Sequence, residues 1–436
     1  MMGLPNLPKK LPSRNWMIFW TVLGTFTGAV IYDKREKKRA TARWARAVRP
    51  LALEPVAGPP TQMPRRLTVY LEAPPGDGLR VAQDHFTEYV KPVLAASGLD
   101  WEFVQGRKEG DVRAAVAERI RRTRQPPNSG GGKRGSGNKE AAPAEAEPQT
   151  QEEILREVRT RNGTPRWQGV RGDIVVGRHT WKEYVRGLHE GWLGPLTAPV
   201  LPEPEVVVKV EEDDNNKKIG EEEPKPKPEE KKPDRPPQPP PYNSPNDYPT
   251  SDLPAMIPGA FHPSTPLPFP HLLGFSGTLT RLGRFLNRRS LADDVGREVA
   301  AVCFAAAREY REDATSSAEV EGALDHEERD WPKSVWKEEK EKAKEEASPT
   351  STSSEKPPAV TAEKIWTTPV VVDPRLGMRM RRFEITAVDE ARARAIVVPE
   401  EEVEGWIKGS VRSLWRWATA RPPPRRDWAA DSAGDE

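Results

Sequence analysis

The residues best suited to chemistry lie between Asp173 and Gly194, in DIVVGRHTWKEYVRGLHEGWLG. A short apolar run, Ile174-Val175-Val176, ends at Gly177. Arg178, His179 and Thr180 then lead into a helix. Strand, small residue, polar turn and helix is an arrangement that presents backbone N–H groups to a phosphate. Phosphoryl transfer there needs glycines that leave those groups unobstructed and a carboxylate to hold magnesium. Here one glycine is followed by two bulky residues, and no acid appears before Glu183 on the helix. His179 has the chemistry of a general base, but no paired aspartate or nucleophilic serine stands in a recognisable arrangement with it. Gly177, Arg178, His179 and Thr180 therefore read as a degenerate phosphate turn, with no catalytic residue and no cofactor. The helix from Trp181 onward reads as fold core and docking surface.

Other chemistry is excluded by spacing. The six histidines show no H-x-x-x-H or H-E-x-x-H pattern, so nothing argues for a metal. The single cysteine, Cys303, rules out an intrachain disulfide and a cysteine-based zinc cluster. GGGKRGSG, in the 125–149 region, lacks the spacing of a phosphate loop and has no strand before it.

The elements around the turn follow from periodicity. In RRLTVYLEAPP, from Arg65, Leu67, Val69 and Leu71 alternate as in a strand. After Gly76-Asp77-Gly78 a helix places Val81, Phe86, Val90, Val93 and Leu94 on one face, with a kink expected at Pro92. Trp101 to Val104 reads as a second strand, and Asp111 as the cap of a helix reaching Ile120. This β-α-β-α order predicts a parallel sheet over 65–200. Residues 201–251 read as a strand, EVVVKV, and a Pro/Glu/Lys linker. Residues 252–420 read as a second, β-rich α+β domain, and 421–436 as a tail. Within them 252–275 is Pro-studded and extended, and Val295, Val299, Val302, Cys303 and Ala306 line one face of a helix. Segments 125–149 and 312–360 read as disordered insertions. Arg375, Arg379, Arg381 and Arg382 form a basic cluster that reads as a solvated face, or as a contact for cardiolipin or an acidic partner. Val403, Trp406, Ile407, Val411, Leu414, Trp415 and Trp417 predict an amphipathic helix whose role is packing or, less so, membrane contact.

The chain has 436 residues, 47 of them proline, and is 31% charged with a net charge of +2. That balance gives no bulk field for nucleic acid. Residues 1–14 form a short tail. Trp16 to Tyr32, WMIFWTVLGTFTGAVIY, holds 17 residues without a charge. At ~1.5 Å per residue this spans about 25 Å against a ~30 Å hydrocarbon core. With no A-x-A-like site after it, it reads as an uncleaved transmembrane helix over 15–32, followed by a basic juxtamembrane segment and linker over 33–64. Gly24 and Gly28 are spaced as in close-packed membrane helices. Counting lysines and arginines on both flanks keeps the bulk of the chain in the compartment of insertion.

Four stretches together resemble one family. LPSRNWMIFWTVLGTFTGAVIYDKREK (Leu11 to Lys37), GRHTWKEYVRGLHEGWLGPL (Gly177 to Leu196), PLPFPHLLGF with RFLNRR (Pro266 to Arg289) and DPRLGMRMRRF (Asp373 to Phe383) look like the Tim-fifty-four family. Its members are subunits of the mitochondrial inner-membrane translocase for carrier proteins. The resemblance implies a single-pass inner-membrane protein with its N-terminus in the matrix and most of the chain in the intermembrane space, against the charge count. It also implies a role in building the complex, with the channel subunit and small intermembrane-space chaperones as partners. A second stretch, Arg65 to Val104, is similar to the first β-α-β unit of diacylglycerol-type lipid kinases, including mitochondrial acylglycerol kinase. In those kinases a glycine-rich, aspartate-bearing turn stands where this chain has Gly177 to Thr180. Gly177, Thr180, Glu183, Val185, Gly187 and Leu188 match the pattern, while the second glycine, the aspartate and the third glycine are missing. The resemblances together imply a degenerate lipid-kinase-like α/β domain in a non-enzymatic scaffold, with a lipid-binding or residual lipid-kinase protein as the alternative.

Overall fold

A computed structural model of the chain describes residues 13–55, 62–124, 158–197, 238–310, 318–336 and 363–419, apart from positions 160, 165, 166, 168, 276, 334 and 405. The expected strand at 205–210 and the insertion at 125–149 lie outside the described residues. Six strands are β1 (Arg66–Glu72), β2 (Asp100–Gly106), β3 (Gly172–Val176), β4 (Ser264–Leu267), β5 (Ala307–Glu309) and β6 (Arg381–Phe383). They form one sheet in the order β2-β1-β3-β4-β6-β5, parallel throughout except where β5 meets β6. The helices are α1 (Arg14–Val48), α2 (Leu79–His85), α3 (Lys91–Ser97), α4 (Asp111–Arg124), α5 (Arg178–Leu193), α6 (Thr278–Phe285), α7 (Arg288–Phe304), α8 (Ala318–Gly322), α9 (Pro374–Gly377), α10 (Ala387–Ala395), α11 (Glu400–Val403) and α12 (Trp406–Thr419).

Alternation along the strands explains the layering. Leu67, Val69 and Leu71 of β1, with Ile174 and Val176 of β3, point to a core shared with α1, α2, α3 and α7. Tyr70 and Val175 point the other way, to α4, α5 and the segments around Tyr248 and Leu376. Strands apolar on both faces need cover on both, which parallel crossovers supply. Pro92 does not break its helix. A π turn over Phe86–Val90 joins α2 to α3, and the missing N–H falls in the first turn of α3.

Three expectations are corrected. First, among the described residues no helix is long and apolar enough to cross a membrane, so the single transmembrane helix over 15–32 is not supported. The physical reason is local: the uncharged run stops at 17 residues and is diluted by Trp16, Trp20, three threonines and two glycines. The helix itself continues to Val48, and its second half is structural. Trp44 is buried against α7, where a Cβ on Gly296 would fall 2.4 Å from its ring, and its indole N–H donates to Asp293 at 2.6 Å. Buried Asp33 accepts the N–H groups of Arg288 and Arg289, both at 3.2 Å, capping α7. Residues 33–48 are thus part of the folded body rather than a linker.

Second, where a lipid-kinase-like domain followed by a separate β-rich domain is expected, the two halves do not form separate domains. β4 and β6, from the C-terminal half, continue the N-terminal sheet, with Ile174 opposite Thr265 and Ser264 opposite Arg382. The result is a mixed α/β fold with one mostly parallel sheet. A short Pro-containing segment takes a central strand because β3 offers it an edge. Third, residues 318–336, expected inside a disordered insertion, hold α8 and a 3-10 turn over Asp325–Asp330, with Val320 and Trp331 buried. On α12, Leu414, Trp415 and Trp417 are exposed and contribute to neither core.

Candidate functional site

The order β2-β1-β3 reverses direction between β1 and β3, and open α/β sheets bind ligands outside the carboxyl ends of their strands at such a point. Here that crevice is bounded by Glu72 at the end of β1, Gly106 at the end of β2 and Gly177 after β3. The first turns of α4 and α5 point into it. Helix N-termini leave N–H groups without partners and carry a partial positive charge.

Both N-termini are occupied by carboxylates of the chain itself. Glu183, on α5, accepts the N–H groups of Gly110, Val112 and Arg113 at 2.6, 3.0 and 3.1 Å, and the indole N–H of Trp366 at 3.2 Å. Glu327 accepts the N–H of Arg178 at 2.9 Å, at the start of α5, and that of Phe269 at 2.5 Å. Glu72 lies beside Glu183 and is fully buried. Burial, and after it the neighbouring Glu183 charge, drives its pKa well above the carboxylate range. Among the described residues neither of its side-chain oxygens has a hydrogen-bond partner.

The turn from Gly177 to Thr180 is closed in the same way. Gly177 has φ +86°, and a Cβ there would fall 2.8 Å from the His179 ring. The His179 Nε2–H donates to the Glu72 carbonyl at 3.2 Å, and burial lowers its pKa to about 4, so the ring is neutral. The Arg178 guanidinium donates to the carbonyls of Glu321 and Ala323 at 2.6 and 2.7 Å and pairs with Glu328 and Asp325. Lys182 pairs with Glu328 at 2.8 Å and donates to the carbonyls of Trp366 and Thr368. Residues 318–331 therefore form a strap across the turn, pinned by Trp181, whose indole N–H donates to Val320 O at 2.9 Å. The Thr180 hydroxyl is buried without a partner.

α5 also meets α4 closely. A Cβ on Gly187 would fall 2.6 Å from Arg113 O, and one on Gly191 would fall 2.7 Å from Ile120. Around that contact Glu190 pairs with Arg113 and Arg121, all buried. His189 donates from Nδ1 to Val185 O at 2.7 Å and accepts the N–H of Asp373 at 2.9 Å; burial holds its pKa at about 4. Among the described residues no group of acids, histidines and cysteines is placed to hold a metal ion.

A family model described as inner membrane protein import complex subunit Tim54 matches residues 1–383. A mitochondrial import inner membrane translocase subunit tim54 of Neurospora crassa is 54% identical over 429 residues, covering 96% of this chain and 86% of that protein. The chain belongs to the Tim54 family. A Tim54 protein of Aspergillus oryzae is 40% identical over 95% of this chain and 93% of its own length. One of Schizosaccharomyces pombe is 30% identical over 76% of this chain and 87% of its own.

The sequence-predicted sites fall in different places on this Tim54-family fold. Gly177 to Thr180 are together at the closed crevice. Trp181 is fully buried, so it acts as core and as the anchor of the strap. Gly24 and Gly28 lie on the outer half of α1, where an added Cβ would meet nothing within 4 Å. Of the arginine cluster, Arg375 is held by Asp373 and by the carbonyls of Tyr248 and Ser251. Arg382 is held by Glu298 and Glu319, Arg379 donates to Arg375 O, and Arg381 is exposed. Sequence reasoning missed Glu72 and Glu327. Glu72 carried one signal, a carboxylate on the apolar strand β1. Glu327 carried none, lying within an acidic run.

Proposed function

We propose that this chain is a non-catalytic subunit of the mitochondrial inner-membrane translocase that inserts multi-spanning carrier proteins. Family membership carries this reading: relatives matched over nearly the whole chain bear the name of an import inner membrane translocase subunit. In it the chain builds and stabilises the complex, meets the channel subunit, and offers its folded body in the intermembrane space as a docking surface for small chaperones. Inner-membrane lipid, cardiolipin among it, contacts the exposed basic positions such as Arg381. The outer half of α1 packs on a partner helix through Gly24 and Gly28. The absence of catalysis is supported by the self-capped crevice, because a phosphoryl donor would meet Glu183 and Glu327 where its own negative charge must sit.

Affinity purification of the tagged chain from detergent-solubilised mitochondria tests the reading. The channel subunit and the small chaperones should co-isolate, and purification of the chain without them would overturn it. Incubation with magnesium-ATP and acylglycerol should give no phosphorylated lipid. Product formation that is lost in Arg178 or His179 variants would overturn the non-catalytic part.

A further inference from the structure

α6 is an amphipathic helix with no buried residue. Leu279, Leu282 and Phe285 follow one another at three-residue spacing on one stripe. Leu279 is 83% exposed, and Phe275, just before the helix, is 94% exposed. Nothing among the described residues covers either. Along the chain itself the charge of this stripe has one sign. From residue 275 to 292 there are four arginines, Arg281, Arg284, Arg288 and Arg289, and no carboxylate. Arg284 pairs with Asp330, and the Arg288 guanidinium stands over the Phe285 ring at 4.8 Å. The helix is held firmly to the body, because α7 begins three residues after it and is capped by Asp33 of α1. Arg289 stands over the Tyr32 ring at 5.2 Å, so the start of α7, three residues beyond α6, adjoins the part of α1 where Ile31 and Tyr32 are exposed. Beyond Asp33, α1 turns basic with Lys34, Arg35, Lys37 and Lys38.

We propose that α6 is an interfacial helix that lies on an anionic lipid surface, its Leu279–Phe285 stripe among the acyl boundary and its arginines at the phosphates. The polarity order explains the choice of occupant. Apolar stripe, arginine rim and mixed-charge body match the profile of a lipid headgroup layer, where arginine meets phosphate and the apolar face leaves water. The chain pairs Arg284 with Asp330 and Arg288, at 4.0 Å, with Glu88, so a protein partner for the same stripe would need carboxylates at Arg281 and Arg289, where phosphates serve as well. The proposal uses the membrane location carried by the family and is independent of the translocase role; failure of the pull-down above leaves it standing.

The test uses the full chain with Leu279→Cys, labelled with a polarity-sensitive fluorophore; Cys303, the only other thiol, is buried. A matching label at exposed Asp100, at the amino end of β2, serves as control. With phosphatidylcholine vesicles containing phosphatidylglycerol, the label at 279 should shift to the blue and be quenched by brominated acyl chains, while the label at 100 should do neither. Arg281→Gln and Arg289→Gln should each weaken anionic-vesicle partition about fivefold at low salt. Three outcomes would overturn the proposal. One is a label at 279 that stays unquenched on anionic vesicles. Another is quenching that does not depend on the anionic lipid or on the two arginines. The third is a blue shift without lipid that grows with chain concentration, which would mean a contact between protein surfaces.

Discussion

Glu183 and Glu327 decide the chemistry of the crevice, and each has a measurable signature. Truncating Glu183→Ala leaves three buried N–H groups and the Trp366 indole without their acceptor. Roughly 3 kcal/mol of stability should be lost, and Glu183→Gln should lose less, since one amide oxygen still accepts. Equal losses in denaturant unfolding would sink the capping argument. Glu327 is buried, and desolvation raises its pKa to about 7, offset in part by the N–H groups of Arg178 and Phe269 and by the Arg178 charge. The folded state therefore holds this proton more tightly than the unfolded chain does. Its stabilising contribution is full below about pH 4.5 and is lost as pH rises through about 7, by up to roughly 3 kcal/mol. His85, His179 and His189, with pKa values lowered to about 3, 4 and 4, work in the opposite sense as pH falls. The comparison must therefore be made against a variant. Relative to wild type, Glu327→Gln should gain stability as pH rises across that window; parallel pH profiles would refute the assignment.

At the scale of elements, three contacts fix the helices. α1 meets α7 at Trp44 and Gly296, and α5 meets α4 at Gly187 and Gly191. Gly296→Ala drives a methyl into the Trp44 ring and should cost roughly 1–3 kcal/mol, with Trp44→Ala costing roughly 3–5 kcal/mol through the cavity it leaves. A Gly296→Ala protein as stable as wild type would mean that α1 is not seated as described. The outer half of α1 gives a different expectation, because Gly24 and Gly28 face open space. Leucine at both should leave the melting temperature unchanged and weaken assembly, read as a smaller complex on native gels. Unchanged complex size would remove these glycines from any interface. The amphipathic period of α5 was readable, yet its sequence did not reveal that even its charged residues are buried. Lys182, Arg186 and Glu190 point outward on an isolated helix, and α4, the strap and residues 238–248 and 363–373 turn that outer face into core.

For the whole molecule, the sheet joins the two halves of the chain. β4 pairs with β3, and the strap and residues 363–373 clasp α5 from the C-terminal side. A protease site engineered within residues 201–237 should therefore yield two fragments that co-elute under native conditions and separate only in denaturant. Fragments that part spontaneously after cleavage would restore the two-domain expectation.

The β-α-β-α order, the alternation of β1 and β3, the family blocks and the absence of an acid between Gly177 and Glu183 are all local patterns, and the sequence alone determined them. Periodicity encodes which face of an element is apolar, and a missing side chain is missing in any fold. Tertiary structure alone decided what caps the two helix N-termini, since Glu183 and Glu327 reach them across 73 and 149 residues of chain. It also decided that residues 264–267 and 381–383 extend the first sheet. Strand pairing and carboxylate capping depend on which edges and unpaired N–H groups remain when the rest has packed, and that is a property of the assembled chain rather than of any segment.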